Sequence, residues 1–129
     1  MNEILPQKSV RRMKICSILA RESNHPKHKL GCVIVKGGRI VSSGFNRINT
    51  YNSRRSYRRY NCSIHAEQSA IRPDISYNGC SLYVVRIGRA GNYLLSKPCE
   101  HCLNLIKSVG IRKIFYTDSN GSIICEKVT

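Results

Sequence analysis

The side chains able to do chemistry fall in two short runs, His65-Ala66-Glu67 and Pro98-Cys99-Glu100-His101-Cys102. One imidazole and two thiols are zinc ligands, and a tetrahedral ion held by those three keeps its fourth position for water. Glu67 is then the unattached carboxylate that such a site needs to move a proton between that water and a substrate. Cys99 and Cys102, three apart on the first turn of a helix, point the same way, and a helix N-terminus with nearby cations favours their thiolates. A redox pair has the same spacing, but Pro98 and the separate His-x-Glu argue against it. Bringing in Cys62 gives a different use of these residues. Cys62-x-x-His65 with Cys99-x-x-Cys102 is a complete four-ligand structural zinc pattern, suited to a non-catalytic, basic nucleic-acid-binding module.

The elements that must position these groups can be read from pattern. Ser9 to about Glu22 suits an amphipathic helix, with Val10, Met13, Cys16 and Ala20 on one stripe, widened by Ile15, Ile18 and Leu19, and ended by Asn24-His25-Pro26. Cys32–Val35 reads as a buried strand, Gly37-Gly38 as a tight hairpin, and Ile40–Phe45 as the return strand. From Asn46 to Asn61 there is no period, which predicts a long loop. Ser63 is a candidate N-cap for a short helix carrying His65 and Glu67, stopped by Pro73. Ser81–Val85 reads as a central strand, and 86–97 as a loop. Pro98 to about Val109 reads as a helix with Gly110 at its end, and Ile111–Tyr116 as a strand. Asn120-Gly121 predicts an antiparallel return over Ser122–Val128. That order specifies an α/β three-layer sandwich around a mixed five-stranded sheet, as one domain spanning residues 1–129.

Composition narrows the partners. The 22 Lys and Arg against 7 Asp and Glu give a net charge of +15, which predicts attraction to polyanions. Arg47, Arg54, Arg55, Arg58 and Arg59 fall between Gly44 and His65 with no acidic residue among them, interleaved with Tyr51, Tyr57 and Tyr60. Guanidinium groups bind phosphate bidentately and tyrosine faces stack on bases. Arg54, Arg55, Tyr57, Arg58 and Arg59 are accordingly the candidate substrate-binding residues of that loop. No apolar run is long enough to span a bilayer, and the N-terminus lacks a signal-peptide layout, so no membrane partner is expected. An odd count of seven cysteines, of which Cys16, Cys32 and Cys80 sit in apolar stretches, suits a reducing, cytoplasmic compartment.

His65, Glu67, Pro98, Cys99 and Cys102 match H-x-E … P-C-x-x-C at each specified position, and on these residues the chain resembles the cytidine/deoxycytidylate deaminase superfamily of zinc-dependent nucleobase deaminases. The element order agrees over nearly the whole chain. The resemblance implies one zinc ion on His65, Cys99 and Cys102, and hydrolytic deamination, by default of cytosine to uracil. It also implies Glu67 as the proton carrier, and the backbone N–H of Ala66 as a holder of the ring carbonyl. Asn46 matches a position that contacts sugar or base, although a strand-end turn residue would look the same. Residues two apart on an ideal helix face nearly opposite sides. His65 and Glu67 therefore serve one metal only if they straddle the helix start, as the resemblance implies. Relatives of this size often assemble as homo-oligomers. The antiparallel end favours the cytidine deaminase branch and a small substrate, whereas the charge favours single-stranded nucleic acid. Both carriers, a cytidine nucleotide and a single strand, stay open. The short helix after Glu67 and the long loop before His65 depart from common relatives, so no subfamily's substrate preference carries over.

Overall fold

The computed structural model describes residues 7–48 and 63–128. In chain order the elements are α1 (Gln7–Ala20), β1 (Lys29–Lys36), β2 (Arg39–Phe45), β3 (Arg47–Ile48), β4 (Ser63–Ile64), α2 (Ala66–Ala70), β5 (Ser81–Ile87), β6 (Tyr93–Leu94), α3 (Glu100–Ser108), β7 (Lys113–Thr117) and β8 (Ile123–Lys127). The main sheet runs β2-β1-β5-β7-β8. Its pairs are antiparallel except β5 with β7, so the sheet is mixed, as expected.

Alternation along the strands sends side chains to two cores. Cys32, Ile34, Leu82, Val84 and Ile114 face the layer of α2 and α3, where Ala66, Ala70 and Ile106 complete the cluster. Val33, Val35, Tyr83 and Val85 face α1 and its Met13, Cys16 and Ala20. Glycines bring both layers close. A Cβ on Gly31 would lie 2.0 Å from the Cys16 carbonyl oxygen of α1, and one on Gly44 would lie 2.6 Å from the Ala70 backbone nitrogen of α2. The helix carrying His65 and Glu67 thus sits on β2 with nothing between the backbones.

Several local readings need correction. The buried stripe of α1 is Ser9, Met13, Cys16, Ser17 and Ala20, while Val10, Ile15 and Ile18 are exposed; the two serines carry the 3.6 period that an apolar count overlooks. Ser63 is in β4, paired with β3, and the N-cap of α2 is His65. The segment expected as loop after β5 contains β6, which pairs with the end of β5 beyond the reach of β7. The helix after Pro98 starts at Glu100 with Cys99 as its N-cap. The hairpins are as read: Gly37 and Gly38 both take positive φ, and Gly121 lies in the turn before β8.

Gly31→Ala and Gly44→Ala should each lower stability by about 1–3 kcal/mol in urea unfolding, because backbone must shift to admit the methyl. Gly44→Ala alone should also lower metal content, since it displaces the layer that bears His65.

Candidate active site

Five residues are too few to hold a helix by propensity, so α2 is held by its surroundings. At its start the backbone N–H of His65 donates to Gln68 Oε1 (2.9 Å). At its end the Ala70 carbonyl accepts from the Ser42 and Tyr77 hydroxyls. The start of α3 is fastened differently. The Ser96 hydroxyl lies 2.9 Å from the Val84 carbonyl and 2.8 Å from Thr117 Oγ1, and the Ser96 and Thr117 backbones exchange further bonds with this node. Lys97, Pro98 and Cys99 therefore leave from a buried bolt between β5 and β7.

These two fastenings bring two helix starts face to face. His65 is in the extended region (φ −72°, ψ 155°) as N-cap of α2, with Ala66 and Glu67 as its first helical residues. The pair straddles the start, which is how residues two apart face one place. Cys99 is the extended N-cap of α3, and Cys102 lies one turn in. His65 Nδ1 stands 3.2 Å from Cys102 Sγ and 3.7 Å from Cys99 Sγ, and the three donor atoms lie within 4.8 Å of one another. Zinc bonds of about 2.3 Å to sulfur and about 2.0–2.1 Å to nitrogen, at tetrahedral angles, separate nitrogen from sulfur by about 3.5 Å. The observed distances bracket that edge, so the three donors fit a zinc ion.

Glu67 is 3% exposed. Burial pushes its carboxyl up to about 7, partly offset by its own backbone N–H. A carboxyl in that range can both take and give a proton near neutrality. Burial, then the Glu67 charge, pushes the Cys102 thiol well up, so metal entry there must displace a proton. The Cys32 thiol, fully buried, is raised first by burial and next by Glu67.

His65, Ala66, Glu67 and Cys99 line a cavity of about 250 Å³, with Asn46 also on its wall. Asn46 is more tightly engaged than a strand-end turn residue requires. Its Oδ1 accepts from Leu30 N–H (2.8 Å) and its Nδ2 donates to the His28 carbonyl (2.6 Å). Arg54, Arg55, Tyr57, Arg58 and Arg59, and Cys62 of the structural-zinc pattern, lie outside the described residues. His25, His28 and Lys97 line the same cavity and were missed. His25-Pro26 registered only as a helix stop, and His28 carried no motif. Lys97 could have been noticed from its place beside Pro98-Cys99.

The chain matches the family model described as "Cytidine and deoxycytidylate deaminase zinc-binding region" over residues 6–118. It is 27% identical over 126 residues to a deoxycytidylate deaminase of Schizosaccharomyces pombe, covering 83% of this chain but 36% of that protein, so it spans little more than a third of that relative. Its fold is similar to a dCMP deaminase of cyanophage S-TIM5, with TM-score 0.68, 23% identity, and 89% and 86% of the two chains covered. It is also similar to a cytidine deaminase of Burkholderia pseudomallei, with TM-score 0.64, 15% identity, and 96% and 94% covered.

Metal analysis should separate the two uses of the cysteines. For a site with three protein ligands, His65→Ala, Cys99→Ser and Cys102→Ser should each lose zinc, whereas Glu67→Ala and Cys62→Ser should retain about one zinc per chain. Loss of zinc from Cys62→Ser would favour the structural module.

Proposed function

The chain belongs to the cytidine and deoxycytidylate deaminase zinc-binding family, and from that membership we propose that it catalyses hydrolytic deamination of a nucleobase, cytosine to uracil, on a phosphate-bearing substrate. Residues 1–129 act as one catalytic domain on this reading. The observation that carries it is the buried Glu67 sharing a cavity with His65 and Cys99, whose donors with Cys102 sit at zinc-ligand separations.

When bound, the zinc ion is a Lewis acid that makes water nucleophilic near neutral pH. Glu67 takes a proton from the attacking water and delivers it to the ring nitrogen, then serves again as the amino group leaves as ammonia. Water plus the aminated ring gives the carbonyl and ammonia, so atoms and charge balance. The Ala66 backbone N–H belongs to the first turn of α2, where amide donors have no partner inside the helix, and it can hold the ring carbonyl. Asn46 has both side-chain atoms committed to the backbone of 28–30. It shapes the wall of the cavity, and the second N–H of its amide is available to a sugar hydroxyl.

The carrier of the base is a nucleotide or a single strand. The cyanophage protein similar in fold is described in complex with dCMP and dUMP, which supports a mononucleotide. The net charge of +15 and the arginines at 54, 55, 58 and 59 support a strand.

An ammonia-release screen over cytidine, deoxycytidine, their 5′-monophosphates and single-stranded DNA and RNA tests this reading. At least one phosphate-bearing substrate should exceed its nucleoside, and Glu67→Ala should lower kcat by about 10²–10⁴-fold with zinc retained. No ammonia from any of them would overturn the reading. For a strand, affinity should fall steeply between low and moderate salt.

A further inference from the structure

We infer that the outward face of α1, with the neighbouring edge strand β2, is a docking surface for an acidic amphipathic helix of a partner protein. Of the seven large apolar side chains left exposed among the described residues, five stand there: Val10, Ile15 and Ile18 on α1, and Ile40 and Val41 on β2. Single exposed apolar residues are ordinary, but a cluster of them marks a site of association. α1 covers the opposite side of the sheet from α2 and α3, so this surface is separate from the active-site cavity and independent of the deaminase reading.

α1 is built with the polarity of its faces partly reversed. Ser9 and Ser17 are 2% and 7% exposed, while Val10 and Ile18 are 49% and 53% exposed. Burial favours apolar side chains over hydroxyls, so the fold of this chain gains nothing from placing Ile15 and Ile18 outward. β2 repeats the feature. Ile40 pairs with Val35, which packs against α1, so Ile40 stands on the α1 face of the sheet. A bulge then inserts Val41 before Ser42 pairs with Ile34, and a bulge re-aims a side chain. The two patches share one end of the sheet. Gly31 lies against Cys16 and Ala20, and Cys16 Sγ donates to the carbonyl of Tyr83, the residue opposite Val33. α1 therefore runs against β1, and its first turns lie toward the hairpin that leads into Ile40.

Charge selects the occupant. α1 carries Lys8, Arg11, Arg12 and Lys14 and no acidic residue. Arg12 is committed inward: its Nη1 donates to the Tyr83 hydroxyl (2.9 Å), and its guanidinium lies 5.4 Å from the centroid of that ring. Lys8, Arg11 and Lys14 are exposed, and the ion pair found among the described residues, Lys97 with Glu126, is elsewhere. Arg11 comes four residues before Ile15 and Lys14 four before Ile18, so each isoleucine has a cation one turn away on its own face. A second copy of this chain brings the same net charge of +15 and is repelled. A nucleic acid matches the cations but offers the isoleucines little apolar surface. A bilayer takes up an apolar face whose cations are segregated from it, whereas here Arg11 and Lys14 stand among the isoleucines. A helix with carboxylates set between apolar side chains meets both kinds of group at one level.

The test uses the zinc-loaded full chain and a fluorescently labelled synthetic helix with leucines at i, i+4, i+7 and i+11 and glutamates between them. Two control peptides of the same length replace the leucines by alanine or the glutamates by lysine. Anisotropy at moderate salt should show saturable binding of the acidic leucine peptide, with both controls weaker by at least about tenfold. Ile15→Ser combined with Ile18→Ser, and Arg11→Glu combined with Lys14→Glu, change exposed side chains. Each pair should weaken binding about tenfold, with zinc content and melting temperature unchanged. No saturable binding of the acidic leucine peptide, equal binding of the alanine control, or binding unmoved by either pair would overturn the assignment. So would any result that names another occupant. Self-association in sedimentation that the isoleucine pair abolishes points to a second copy. Tighter binding of phosphatidylserine vesicles or of a short single strand, lost in the same variants, points to a membrane or a nucleic acid. Peptide binding seen only after residues 1–6 are removed points to the start of this chain.

Discussion

The rest of the structure depends on the meeting of two helix starts. A tetrahedral ion tolerates little error in its ligands, and here the ligands come from chain segments separated by a strand, a loop and a hairpin-like return. Neither helix can supply the accuracy. α2 has five residues and α3 nine, too short to be stable alone. Accuracy comes from tertiary bonds: Gln68 at the start of α2, Ser42 and Tyr77 at its end, Gly44 beneath it, and the Ser96–Thr117 node before α3. The sheet is the rigid body to which both helix starts are tied.

That arrangement also sets the electrostatics. Glu67 and Cys102 are both buried, on the two helices whose Ala66, Ala70 and Ile106 pack into the apolar cluster. Burial opposes ionisation of both, and a divalent ion brings the positive charge that a carboxylate and thiolates require there. Shifted ionisation of this kind is common where chemistry is done, because a proton carrier works best with a pKa near ambient pH. The first turn of α3 adds partial positive charge where the sulfurs sit.

Much of this was legible in the sequence, for identifiable reasons. The strands β1, β5 and β7 are continuous apolar runs, and the Gly37-Gly38 and Asn120-Gly121 turns have local chemistry that specifies them, so the sheet follows. The metal donors were legible because ligand spacing is a local signal. What escaped depends on contacts between distant segments. Ser9 and Ser17 are buried on α1 by the position of the sheet, not by their own polarity. Ser96 and Thr117 act only as a pair 21 residues apart. His25 and His28 reach the cavity because Asn46 and the turn hold them there, and an isolated histidine announces nothing of that kind. Arg54, Arg55, Tyr57, Arg58 and Arg59 were the strongest compositional signal for substrate, and they lie outside the described residues.

The central claim is a zinc ion with three protein ligands and one position left to solvent. X-ray absorption at the zinc edge of the loaded protein reads the ligand set directly. The account predicts two sulfurs at about 2.3 Å and two nitrogen or oxygen atoms at about 2.0–2.1 Å, one of them from solvent. Three sulfurs, with Cys62 closing the shell, would contradict it.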